Sequence, residues 1–221
     1  MLVLHYTGMK SATEALEHLC DPGAQVSTHY LVAEDGAVWR LVPEDRRAWH
    51  AGEALWQGTR DVNGASIGIE LVNPGHEFGY CPYPEAQMAA LETLGRDILT
   101  RHSIPADRVV GHSDVAPLRK QDPGELFDWA RLARAGLGLW PEDWSAAGLP
   151  CPTRAADMQK ILHAIGYRVP QTGSFDRETR TVLTAFQRHF RPADRSGELD
   201  DETRRHLAVI GHLVTHLRAS R

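Results

Sequence analysis

The chain contains no run of about 18 or more apolar residues, which excludes a helix of membrane-spanning length. It also lacks a cluster of lysines and arginines: 24 basic side chains face 29 acidic ones, for a formal net charge of −5. Nucleic-acid binding needs a basic face, so that class is set aside, as are phosphate-rich ligands. The three cysteines, Cys20, Cys81 and Cys151, are odd in number and widely separated. That spacing spells neither a disulfide framework nor a CxxC metal site. The N-terminus has no basic region, apolar stretch and cleavage site in succession. Met1 leads almost directly into an apolar run, so the expectation is a cytoplasmic protein, or a periplasmic one from which a leader has been removed. No internal repeat and no low-complexity stretch is evident.

What remains is an ordinary globular composition, 42% hydrophobic over 221 residues, enough for one full core and a small second one. Residues 1–7 read as a buried strand. Ser11 to Cys20 has helical spacing behind a capping serine. Strands are expected at about Thr28–Ala33 and Val38–Val42, joined by the turn signal Glu34-Asp35-Gly36. Ser66–Val72 reads as another strand, in which Gly68 leaves room for close approach. Pro84–His102 carries Met88, Leu91, Leu94, Ile98 and Leu99 on one helical face. Val109 and Val110 form a last strand. This alternation predicts an α/β fold: a central mixed β-sheet flanked by helices.

Composition shifts after Trp140. Pro141, Gly148, Pro150 and Pro152 mark residues 141–152 as a linker between a first domain, 1–140, and a small helical domain, 153–221. Three helices are expected there, Thr153–Ile165, Asp176–Phe190 and Asp200–Leu217, with Asp176 and Asp200 as N-caps.

The stretch from Val110 to Gly124 (VGHSDVAPLRKQDPG) places His112, Lys120 and Asp122 on one short loop after an apolar run. An imidazole and a carboxylate are ordinary ligands of a divalent metal, and a lysine beside them can hold developing negative charge. Adding His5, at the end of the first strand, gives two His and one Asp, enough for a catalytic zinc that keeps an open position. Pro117 and Pro123 restrict the loop. Glu70 is an acid inside an apolar strand, and burying a carboxylate is costly. A salt bridge would explain it, as would a general base tuned by burial. Trp49 and His50, in RAWHAG, and His29, in STHY, are either substrate contacts or packed core residues.

The ordered set LHYT, VSTHYL, RAWHAG, NGASIGIELVN and VVGHSDVAPLRKQDPG resembles the zinc-dependent N-acetylmuramoyl-L-alanine amidases of the type 2, peptidoglycan-recognition-like class, closest to its AmpD and AmiD branches. The resemblance covers about residues 1–140. The tail resembles a peptidoglycan-binding domain through MQKIL, IGY, GSFD and AFQ. The resemblance implies a type 2 amidase fold with one Zn2+ per chain, held by His5, His112 and Asp122. It implies Glu70 as the catalytic glutamate and Lys120 as the lysine that stabilises the transition state. His29, Trp49 and His50 fall in motifs lining the family's cleft and are candidate substrate contacts.

The reaction so implied is hydrolysis of the amide between the lactyl group of N-acetylmuramic acid, or its 1,6-anhydro form, and L-alanine. The partners are then peptidoglycan or muropeptide fragments, the enzyme is expected to be a monomer, and the tail is a wall anchor. The competing readings are a non-catalytic peptidoglycan receptor and a zinc peptidase cutting within the stem peptide. Receptor members of the class lose zinc ligands, whereas this chain keeps all three.

Overall fold

The computed structural model describes residues 1–221. Five strands form one sheet: β1 (Leu2–Tyr6), β2 (Tyr30–Val32), β3 (Val38–Arg40), β4 (Ile67–Leu71) and β5 (Val109–Gly111). Their order is β3-β2-β4-β1-β5, all parallel except β3, which pairs antiparallel with β2. A parallel strand covered on both faces reads as a continuous apolar run. β1 has that character: Leu2, Val3 and Leu4 are buried between β4 and β5. The expected strands around Gly36 shorten to three residues each, and the turn itself forms with Gly36 at φ +87°.

Helix α1 (Ala12–Cys20) starts where expected, with the Ser11 hydroxyl accepting from the Glu14 amide. Two single-turn helices, α2 (Val62–Ala65) and α3 (Gly75–Phe78), flank β4. The long helix α4 (Glu85–His102) lays Met88, Leu91 and Ile98 on the same core cluster as Leu2, Leu4 and Ile69. Helices α5 (His112–Val115) and α6 (Trp129–Arg134) follow β5. None of the four short helices was legible in the sequence, because four to six residues cannot display a 3.6-residue period.

The tail folds as α7 (Ala155–Ile165), α8 (Arg177–Phe190) and α9 (Asp201–Ala219). Asp176 and Asp200 cap the last two as expected, accepting from the Thr179 and Thr203 amides at 2.8 Å each. The structure also reveals a repeat that the sequence reading missed. Gln159 on α7 and Gln187 on α8 are fully buried, and each braces the loop that follows it. Gln159 accepts from the Gly173 amide and donates to the Ser174 carbonyl and Thr179 hydroxyl. Gln187 does the same with Gly197, Glu198 and Thr203. The matching segments are TGSFDRET and SGELDDET, too short and divergent to stand out without these bonds.

These helices do not hang from a free tether. One apolar cluster joins Val3, Val110 and Val115 to Met158, Leu162, Tyr167 and Phe186. Residues 141–152 form no helix or strand, yet the Trp144 ring lies 4.0 Å from that of His206 on α9. No helix is long and apolar enough to cross a membrane.

Candidate active site and metal centre

Three adjacent parallel strands deliver the site at their C-terminal ends, where open α/β sheets collect ligands. On β1, His5 is the register partner of Glu70 on β4, so both side chains leave the same face. On the other side Leu4 pairs with Gly111, and His112 opens α5 one residue later. Asp122 returns from the Pro-bounded loop, tied by the Ser113 amide donating to its own carbonyl.

Nδ1 of His5, Nδ1 of His112 and Oδ2 of Asp122 converge, with separations of 2.9 Å between the two imidazoles and 3.0 and 2.9 Å from each to the carboxylate. All three residues are buried. The surrounding bonds assign the tautomers. His112 Nε2 donates to the Ala51 carbonyl, which leaves Nδ1 of the neutral ring bare. The Ser66 hydroxyl donates to the Val62 carbonyl and therefore accepts from His50 Nε2, so His50 Nδ1 must accept from His5 Nε2. His5 Nδ1 is then bare as well.

Two lone pairs and a carboxylate oxygen thus face one another with no proton between them. That arrangement is unfavourable until a cation joins it, and the N,N,O donor set suits zinc. The electrostatics agree. Burial, followed by the neighbouring His112, lowers the pKa of His5 to about 4. Burial, then His5, holds His50 well below the usual histidine range. Burial alone would raise Asp122, but the two imidazoles beside it hold its carboxyl far below normal, so it stays an ionised donor.

A cleft of about 440 Å³ opens over these atoms and includes Glu70, Lys120, Trp49 and His50 in its lining. Glu70 Oε2 is buried without a partner. Burial, then Asp122, raises its pKa well above the usual value, while Lys120 pulls the other way. The Lys120 charge is also felt by His5. The carboxyl thus has no structural partner and lies within reach of the charge of Lys120 and of Asp122.

The three candidate substrate contacts separate. Trp49 stands on the rim, 56% exposed, with the Arg47 guanidinium 4.2 Å from its ring. His50 touches the cleft but spends both nitrogens on His5 and Ser66. His29 is fully buried: its Nδ1 accepts from the Gly68 amide and its Nε2 donates to the Arg46 carbonyl. It is no part of the cleft lining, because its ring is committed to bracing backbone. Sequence reasoning missed Arg119, which clasps the Ala51 and Glu53 carbonyls at 3.0 and 2.5 Å and so holds RAWHAG against the Asp122 loop. A basic residue next to Lys120 was the only signal available.

Comparison with known proteins agrees with this geometry. Residues 1–125 match the family of N-acetylmuramoyl-L-alanine amidases, and residues 153–207 match the peptidoglycan binding domain family. The N-acetylmuramoyl-L-alanine amidase AmiD of Escherichia coli K12 is 41% identical, covering 92% of this chain and 79% of its own. The 1,6-anhydro-N-acetylmuramyl-L-alanine amidase AmpD of Enterobacter cloacae is 43% identical over 48% of this chain and 55% of its own. The solved complex of E. coli AmiD with the substrate anhydro-N-acetylmuramic acid-L-Ala-D-gamma-Glu-L-Lys superposes with a TM-score of 0.84 at 40% identity, covering 94% of this chain and 86% of that one. With its sheet, its cleft and its two matched segments in this order, the chain belongs to the N-acetylmuramoyl-L-alanine amidase family.

Proposed function

We propose that this enzyme hydrolyses the amide between the lactyl group of N-acetylmuramic acid, or its 1,6-anhydro form, and the L-alanine of the stem peptide. The observation that carries the reading is the convergence of three bare donor atoms, of His5, His112 and Asp122, under a cleft that also holds Glu70 and Lys120. The AmiD complex, whose substrate begins anhydro-N-acetylmuramic acid-L-Ala, supports the same reading.

His5, His112 and Asp122 would hold one Zn2+, which when bound supplies Lewis-acid chemistry, acidifying water and polarising a carbonyl oxygen. Glu70, raised by burial, accepts the proton of the attacking water and returns it to the leaving amine of L-alanine. Lys120 faces the oxyanion that develops on the lactyl carbonyl. Trp49 offers an apolar face at the rim for the sugar or the peptide. His50 orients His5, as partners of metal-binding histidines commonly do. The enzyme acts as a monomer, and the C-terminal helices contribute wall affinity by raising local substrate concentration.

Mass spectrometry of products from intact sacculi and from a purified anhydromuropeptide tests this reading. Free stem peptide beginning with L-alanine is expected from at least one. The faster substrate separates wall cutting from recycling of soluble fragments. Fragments cut inside the peptide would replace the amidase with a peptidase, and no product from either would leave a receptor.

A further inference from the structure

The turn that carries His112 also carries Asp114, a carboxylate only 1% exposed. Its Oδ2 accepts from the Gly111 amide at 2.7 Å, which fixes where α5 begins, one residue before His112. Its other bonds come from the far end of the sequence. Tyr167, in the loop after α7, donates its hydroxyl to Oδ1 at 2.6 Å, and His189 on α8 donates Nδ1–H to Oδ2 at 2.8 Å. Both donors are buried and held rigidly. The Tyr167 ring packs edge-on against Trp56 at 5.0 Å, and the His189 ring stacks on Trp129 at 3.8 Å and on Phe190 at 4.0 Å. Trp129 belongs to the first domain, so the clamp is gripped from both sides of the junction. A wall anchor would need none of this. A buried carboxylate held by three donors is a means of setting the position of its own backbone.

We infer that Tyr167 and His189 are positioning residues that act through Asp114 on the His112 turn, so that the C-terminal helices complete the catalytic centre. This rests on the reading of His112 as a metal ligand. Partners bonded directly to a metal ligand change affinity or activity by about 10–100-fold when lost, and groups that act through Asp114 and the Gly111 backbone stand at the lower end of that range.

The test uses the whole 221-residue chain and measures three quantities: the zinc Kd by competition with a chelator, the Tm of the zinc-free form, and kcat and KM separately. Tyr167→Phe is expected to weaken zinc about tenfold and to lower kcat with little change in KM. His189→Asn, which keeps an N–H donor near Nδ1, is expected to bind zinc more tightly than His189→Leu. Arg218→Ala breaks a different contact across the junction, the ion pair of α9 with Asp107 at 2.9 Å. It is expected to lower Tm while leaving the zinc Kd unchanged. If Tyr167→Phe and the His189 pair lower Tm as Arg218→Ala does, without moving zinc Kd or kcat, the clamp is structural only and the inference fails. If Tyr167→Phe does not fold, the His189 pair decides by the same criterion. His112→Ala separates the premise: should it bind zinc as tightly as the natural chain, the ligand assignment itself is wrong.

Discussion

Glu70 stands directly beside His5, its register partner on the neighbouring parallel strand, and its side chain lines the cleft that His112 and Asp122 also line. The candidate base and a candidate metal ligand are therefore set by sheet register, since a slip of one residue would send either to the opposite face. Glu70→Gln preserves shape and removes the base. Its kcat is expected to fall by about 10²–10⁴ while zinc content, read by atomic absorption, stays at one per chain. Full turnover by this variant would remove Glu70 from the mechanism.

Lys120 and Asp122 lie two positions apart but should fail differently. Lys120→Met is expected to lower kcat by about 10²–10³, the usual scale for losing one oxyanion partner, with zinc retained. Asp122→Ala removes the carboxylate shared by both histidines, so zinc and activity should go together. Equal zinc loss in both variants would contradict the division of roles.

The absence of a side chain at Gly68 is a condition of the site. A Cβ there would sit 2.6 Å from the His50 ring, which is already bonded to His5 and Ser66. Gly68→Ala is expected to displace His50, lower Tm, and weaken zinc binding by about tenfold through His5. Unchanged zinc affinity would mean that His50 does not orient His5.

Acid should destabilise the zinc-free protein through its buried histidines. His5, depressed to about 4 by burial and by His112, is neutral when folded, whereas the unfolded residue takes a proton near pH 6.5. Its contribution is complete above pH 6.5 and is lost as pH falls toward 4, on the order of 3 kcal/mol. His50 shifts in the same direction. Glu70 opposes them: its raised pKa favours the fold at low pH, and that advantage is lost as pH rises through the folded value. The prediction is therefore cleanest in zinc-free Glu70→Gln, whose Tm should drop steadily from pH 6.5 to 4. A flat profile would mean that the histidines are charged when folded.

Residues 1–140 alone should be poorly behaved. Val110, Val115 and Ala116 are buried in the cluster that also contains Met158, Tyr167 and Phe186. Truncation would expose this face, and contiguous apolar patches promote association. The expected result is a lower Tm and concentration-dependent aggregation by light scattering, compared with the full chain.

Much of this protein is legible along the chain because the signals are local. The apolar run of β1, the caps Ser11, Asp176 and Asp200, and the turn at Gly36 depend on neighbours within a few residues. The donor residues of the site could likewise be listed in order from five motifs. What tertiary structure decided is which of them meet. His29 and His50 look alike in sequence, yet one bonds the Gly68 amide and the other bonds His5. Asp114 carries no signal of its own in the stretch from Val110 to Gly124, and two of its partners lie 53 and 75 residues away. Such contacts leave no periodic trace, because side-chain direction and long-range pairing arise only when the sheet, the short helices and the C-terminal helices close on one another.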